Sequence, residues 1–171
     1  MGTGGRRGTA RAVDTGSLDP DDERVNPASP RRVAGWREWV AFPDLGVPRV
    51  KAKLDTGARS SALHAFAIRE FTEGGRRMVR FEVHPLQRRA DRAVEVVAEL
   101  LERRVVRPSS GVGQMRRVIA TTLEMDGHRW PIELTLARRD AMGFRLLLGR
   151  QALRGRYLVD PGRSFVFGKL R

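Results

Sequence analysis

Apolar and basic residues alternate from Val50 through Lys51, Ala52 and Lys53 to Leu54, and the run ends in Asp55-Thr56-Gly57-Ala58. A two-residue period is that of a strand with one face buried. A carboxylate therefore stands where the chain leaves a sheet, and Gly57 is expected to allow the tight turn behind it through a positive φ. Such a carboxylate can be a turn former, an ion-pair partner or a catalytic group.

The same patterning runs along most of the chain. Residues 36–42 read as a strand, and Pro43-Asp44-Leu45-Gly46 as the turn into the strand that ends at Asp55. Residues 61–71 are ambiguous, although Ala62, His64, Phe66 and Ile68 alternate. Glu73-Gly74-Gly75 is a hairpin signal ahead of a strand at 78–84 that Pro85 stops. The run 93–107 is long and β-rich, with Val94, Val96 and Val97 lowering the helical alternative only partly. Residues 108–113 form a flexible loop. Strands at 117–125 and 128–136 are joined by Asp126-Gly127, a strong hairpin signal. Residues 138–143 suit a turn or short helical piece, 144–150 a short buried strand, and 151–154 a brief helix. Closing strands are expected at 157–159 and 164–167, around Asp160-Pro161-Gly162. Many short strands with frequent turns predict an all-β, barrel-like domain.

Composition changes this picture at the N-terminus. Residues 1–34 are mostly Gly, Arg, Asp, Pro and Ser with isolated valines. So little apolar surface does not offset the entropy of ordering, which predicts a disordered tail before one domain at 35–171. The first residues are basic but lack an apolar run behind them, unlike a secretory signal. No stretch approaches membrane-spanning length. The chain has no cysteine, so a disulfide framework and thiolate zinc sites are excluded. A cytoplasmic protein with no membrane contact is expected. The 33 Lys and Arg against 20 Asp and Glu give a net charge of +13, with lysine only at Lys51, Lys53 and Lys169. Arginines and carboxylates nearly balance in the tail, so the positive field belongs to the folded part. It would attract polyanions such as RNA, the ribosome or acidic peptides, although no known nucleic-acid motif is visible.

A second Asp-Thr-Gly, at Asp14-Thr15-Gly16, has no strand leading into it, and Pro20-Asp21-Asp22-Glu23 follows closely. It is read as a coincidence. The copy at Asp55 differs, because Leu147-Leu148-Gly149-Arg150-Gln151-Ala152-Leu153 lies downstream. This pairing resembles the retropepsin-like aspartic peptidases, in which an Asp-Thr-Gly-Ala strand is crossed by an apolar-apolar-Gly-Arg segment leading into a short helix. The runs 52–65, 83–86, 130–134 and 148–153 extend the likeness to the bacterial, RimB-like family labelled ATP-dependent zinc protease. That family is associated with RimK-type glutamate ligases.

The resemblance implies a retropepsin-like closed β-barrel with one or two short helices and a homodimer that sets Asp55 against its copy. Thr56 would hydrogen-bond across the two-fold axis, Gly57 would leave room for close backbone approach, and Leu148, Gly149 and Arg150 would be structural or dimer residues. Ala58 and Arg59 would meet substrate, as would Ser109, Ser110 and Gly111 if the 109–113 loop is the flap; the Gly74-Gly75 hairpin is the other candidate. Viral enzymes of this fold usually carry acidic residues after Asp-Thr-Gly-Ala, one of which pairs with the later arginine. Here Arg59-Ser60-Ser61 follow, so Arg150 needs another partner.

The family label itself has no motif behind it, neither Gly-x-x-x-x-Gly-Lys-Ser/Thr for ATP nor His-Glu-x-x-His for zinc. No cofactor is expected. Zinc enters only if the three histidines, His64, His84 and His128, converge in space. The leading expectation is an aspartic-type endopeptidase acting on a protein or peptide, with acidic substrates suited to the arginine-rich surface. A zinc peptidase and a non-catalytic binding module of the same fold are the rivals.

Overall fold

The computed structural model describes residues 8–9, 30–85, 93–107, 111–138 and 143–168. The tail expected at 1–34 lies mostly outside them, as do Ser109, Ser110 and most of the 138–143 segment. In chain order the strands are β1 (Gly8–Thr9), β2 (Arg32–Gly35), β3 (Arg37–Phe42), β4 (Val47–Leu54), β5 (Ser61–His64), β6 (Phe66–Glu73) and β7 (Arg76–Val83). They continue with β8 (Val94–Glu99), β9 (Glu102–Val106), β10 (Gln114–Met125), β11 (His128–Ala137), β12 (Leu146–Leu148) and β13 (Tyr157–Asp160). One α-helix, α1 (Arg150–Leu153), and a 3-10 turn at Pro43–Leu45 complete the described elements.

Six strands close on themselves in the order β11-β5-β12-β4-β3-β10, because β10 also pairs with β11. This is the expected closed barrel, with β9 added outside the ring along β10. A second sheet, β1-β8-β7-β6, packs against it, and β13 pairs in parallel with β2 as a two-stranded ribbon. The two sheets share one apolar core. Val40 and Phe42 of β3, Val50, Ala52 and Leu54 of β4, and Ile119 and Leu123 of β10 meet Val79, Phe81 and Val96 there. Each large buried side chain contributes about 1.5–3 kcal/mol relative to exposure.

Turn chemistry sets the two tight hairpins. Gly74 and Gly75 have φ 56 and 76, and Asp126 and Gly127 have φ 55 and 76. Positive φ at both central residues is what a two-residue turn between twisted strands requires. The ambiguous 61–71 run resolves into two strands that separate at Ala65, whose N–H is taken by the Ala137 carbonyl.

One sequence reading is refined and one needs correction. The 93–107 run is two strands belonging to different sheets. The Leu100 N–H bonds the Arg77 carbonyl at 2.8 Å and the Leu101 N–H bonds the Val118 carbonyl at 2.9 Å, so the chain changes sheets within one residue. Residues 164–167 form a turn and not a closing strand. Phe165 has φ 52, which costs a non-glycine residue roughly 1–2 kcal/mol. The compensation comes from Glu38, fully buried on β3. Its Oε1 accepts the N–H groups of Gly35 (2.7 Å) and Val166 (2.9 Å), and Oε2 accepts that of Phe167 (3.4 Å). No helix among the described residues is long and apolar enough to cross a membrane.

Candidate active site

The corner at Asp55 exists because β12 is inserted between β4 and β5. Leu146, Leu147 and Leu148 pair in parallel with Ala52, Lys53 and Leu54, while Leu146 and Leu147 pair antiparallel with Leu63 and Ala62. The 55–60 loop must therefore span the width of an intervening strand. All three β12 leucines are buried, and that burial fixes the register. The last bond of the β4–β12 ladder runs from the Asp55 N–H to the Leu148 carbonyl at 2.8 Å, so the candidate carboxylate is tied to the barrel wall through its own backbone.

Within the loop, Asp55 Oδ1 accepts the Gly57 N–H at 3.0 Å and the Asp55 carbonyl accepts the Ala58 N–H at 3.2 Å. Gly57 does not adopt the positive φ expected of it. Glycine suits the close approach there, since a Cβ would meet Asp55 Oδ1 at 3.2 Å and press on the carboxylate. Asp55 is half-buried, while Thr56 and Gly57 are exposed at the tip.

The segment after β12 clamps this loop from behind. Arg150 Nη1 donates to the carbonyls of Thr56 (3.1 Å) and Gly57 (3.0 Å). The Arg150 N–H bonds the Ala58 carbonyl at 2.8 Å, and the Gln151 N–H bonds the Arg59 carbonyl at 3.1 Å. Arg150 thus finds its partners in main-chain oxygens, which carry no residue signature and could not be named from the sequence. Gly149 packs directly on the backbone of Ser60, and its N–H bonds Ser61 Oγ at 3.1 Å. Ser61 was missed as a site residue. It is buried, and its carbonyl accepts the Thr135 hydroxyl at 2.9 Å, so it links the Asp55 loop, β12 and β11. Its only visible signal is its place just after Asp-Thr-Gly-Ala.

The other predicted residues divide between two places. The backbone carbonyls of Ala58 and Arg59 belong to the clamp, and the Arg59 side chain is exposed. Gly111 is exposed with φ 85, in the connection between β9 and β10 that opens beyond the Val106–Gln114 pair. The histidines do not converge. His64 and His84 lie against the Phe66 ring, with centroids 4.3 and 4.1 Å away, while His128 Nε2 contacts Arg32 Nη1 at 2.6 Å beside the Asp126-Gly127 turn. No group of three His, Asp or Glu side chains suited to a metal exists among the described residues. The histidine set does not fit the zinc of the family label.

Three comparisons bear on this geometry. The family model described as RimB-like, retropepsin-like aspartic endopeptidase RimB, matches residues 33–169. Relatives from Parasynechococcus marenigrum and Shewanella halifaxensis, both named "Probable alpha-L-glutamate ligase", are 50% identical over 141 residues and 44% identical over 137 residues. The matches cover 81% and 80% of this chain, which spans about 30% of the length of either relative. Among solved structures, a Legionella pneumophila protein of unknown function matches with a TM-score of 0.68 at 26% identity, covering 81% of this chain and all of the other.

Proposed function

The chain belongs to the RimB-like family of retropepsin-like aspartic endopeptidases, and from that premise we propose that it hydrolyses peptide bonds with two Asp55 carboxylates, one from each copy of a cytoplasmic homodimer. The observation that carries this reading is the clamped corner: Asp55 held through its backbone to Leu148, with its loop carbonyls held by Arg150. A catalytic group must be kept near its productive geometry by a rigid surround. An exposed Thr56-Gly57 tip is also what a two-fold contact between identical loops would need.

The chemistry follows from pairing two carboxylates. Like charges at close range disfavour double ionisation, so the pair holds one proton. The ionised member takes a proton from water as the water oxygen attacks the peptide carbonyl carbon. The protonated member donates to the developing oxyanion, giving a tetrahedral gem-diol. Proton transfer to the amide nitrogen then breaks the C–N bond and releases acid and amine. Oδ1 is engaged by Gly57, while no described residue hydrogen-bonds Oδ2, which is thereby left for water.

The substrate class we propose is an acidic peptide, such as a glutamate-extended tail. Support comes from the net charge of +13 and from relatives whose name is glutamate ligase. The test is mass-spectrometric cleavage of a diverse peptide library by wild type and Asp55→Asn, both in excess chelator. Wild-type cleavage lost in Asp55→Asn is expected. Activity abolished by chelator and restored by zinc would overturn the aspartic reading, and glutamates that slow cleavage or do nothing would remove the acidic-substrate part.

A further inference from the structure

Most ion pairs of the described residues neutralise arginine with carboxylate. Arg103 and Arg117 meet Glu70, Arg104 meets Glu133, Arg129 meets Glu124 and Arg76 meets Glu99. The outward face of β3 and β4 is built differently. Arg37, Trp39, Arg49, Lys51 and Lys53 alternate there with the buried residues of the barrel interior, and all five are half-buried. No ion pair among the described residues involves Arg37, Arg49 or Lys53.

Aromatic rings seat Arg37 and Arg49 instead. The Arg49 guanidinium lies 5.2 Å from the Trp39 ring centre, and Trp39 stacks on Phe165 at 5.8 Å and 20°. Arg37 lies between Phe165 (5.0 Å) and Trp36 (4.7 Å). Trp36 meets Phe144 edge-on at 5.7 Å, and Lys51 stands 5.0 Å over Phe144. Lys53 faces Arg37 across the strand pair. Phe165 reaches this ladder only through its positive φ, locked by a 2.9 Å bond from its N–H to the Arg37 carbonyl. A ring holds a cation in place without cancelling its charge. Arg37 and Arg49 are therefore pre-ordered on this face with their charges kept.

We propose that this β3–β4 face binds single-stranded nucleic acid. Cations spaced along a surface track a phosphate backbone, and the edges of the rings between them meet the faces of unstacked bases edge-on. A duplex hides its base faces, and a glutamate-rich peptide would use the charges but has no ring faces to set against the edges of Trp39 and Phe165. The site is independent of Asp55 and of the peptidase reading.

The test is fluorescence anisotropy of a labelled oligouridine dodecamer titrated with the full chain. Binding with Kd of about 1–100 μM is expected, weakening about 20–50-fold between roughly 50 and 200 mM salt, as three or four phosphate contacts predict. Arg49→Gln with Lys53→Gln should flatten the logarithmic salt slope by about 1.4. Trp39→Leu should weaken binding roughly tenfold at unchanged slope. Arg76→Gln with Arg129→Gln, which removes the same charge elsewhere, should stay within about twofold. Asp55→Asn should bind like wild type. The proposal is overturned if the control pair weakens binding as much as the face pair, if Trp39→Leu has no effect, or if oligoglutamate binds and oligouridine does not. Should the face variants fail to fold, photo-crosslinking of 4-thiouridine RNA to wild type decides: adducts on residues 36–53 or Phe165 support the site, and adducts confined elsewhere refute it.

Discussion

A Cβ placed on Gly149 would lie 2.5 Å from the carbonyl oxygen of Ser60, closer than real Cβ contacts come. The φ of Gly149 is −82°, a conformation open to any residue, so contact and not torsion demands glycine here. Gly149→Ala must push the 58–60 backbone away from β12. We expect a loss of about 1–3 kcal/mol of stability in urea unfolding, as overpacking typically costs, and a loss of cleavage that persists at temperatures where the variant is folded.

Arg150 tests the clamp without touching the core, because its side chain is exposed. Arg150→Met keeps much of the aliphatic stem and removes the bonds to Thr56 and Gly57. The melting temperature should move little, while kcat should fall at least roughly tenfold from misplacement of the Asp55 loop. Equal losses in stability and rate would make Arg150 a purely structural residue.

Glu70 on β6 makes the fold acid-sensitive. Its hydrogen bonds from Arg103 (3.1 and 2.5 Å) and Arg117 (2.7 Å) hold its carboxyl down at about 2 from the ordinary 4.5. A carboxylate depressed by folding contributes stability in full above its unfolded value and loses it as pH falls toward the folded value. Wild type should therefore exceed Glu70→Gln by about 1 kcal/mol at pH 7. The gap should shrink from pH 4.5 and close near pH 2. Added salt at pH 7 should narrow it too, since Arg103 is exposed and Arg117 only half-buried.

Removing the Glu38 carboxylate leaves three main-chain N–H groups without their acceptor. Glu38→Ala should cost about 2–4 kcal/mol by chemical denaturation. It should also release the 164–167 turn, giving faster amide exchange at Val166 and Phe167 than at Leu123 in the barrel.

The barrel was legible because local chemistry agreed with it. The Asp126-Gly127 and Gly74-Gly75 turns and the alternation of β4 each name an element from a few adjacent residues. What stayed hidden depends on contacts across long separations. Residues 164–167 look like a strand until Glu38, 128 residues earlier than Val166, takes their N–H groups. The break at Leu100 and Leu101 has no glycine or proline to mark it, since two different sheets compete for adjacent N–H groups. At the site, Asp55, Gly149 and Arg150 were visible as a motif, but their bonding runs through main-chain carbonyls that any sequence supplies.

The insertion of β12 between β4 and β5 also sets an order in time. Arg150 follows Gly57 by 93 residues. At about 5–20 residues per second, a ribosome makes the Asp-Thr-Gly turn some 5–20 s before the segment that seats it. A nascent chain therefore carries the motif for that interval without the site. Whatever chemistry Asp55 performs is withheld until the barrel around it is complete.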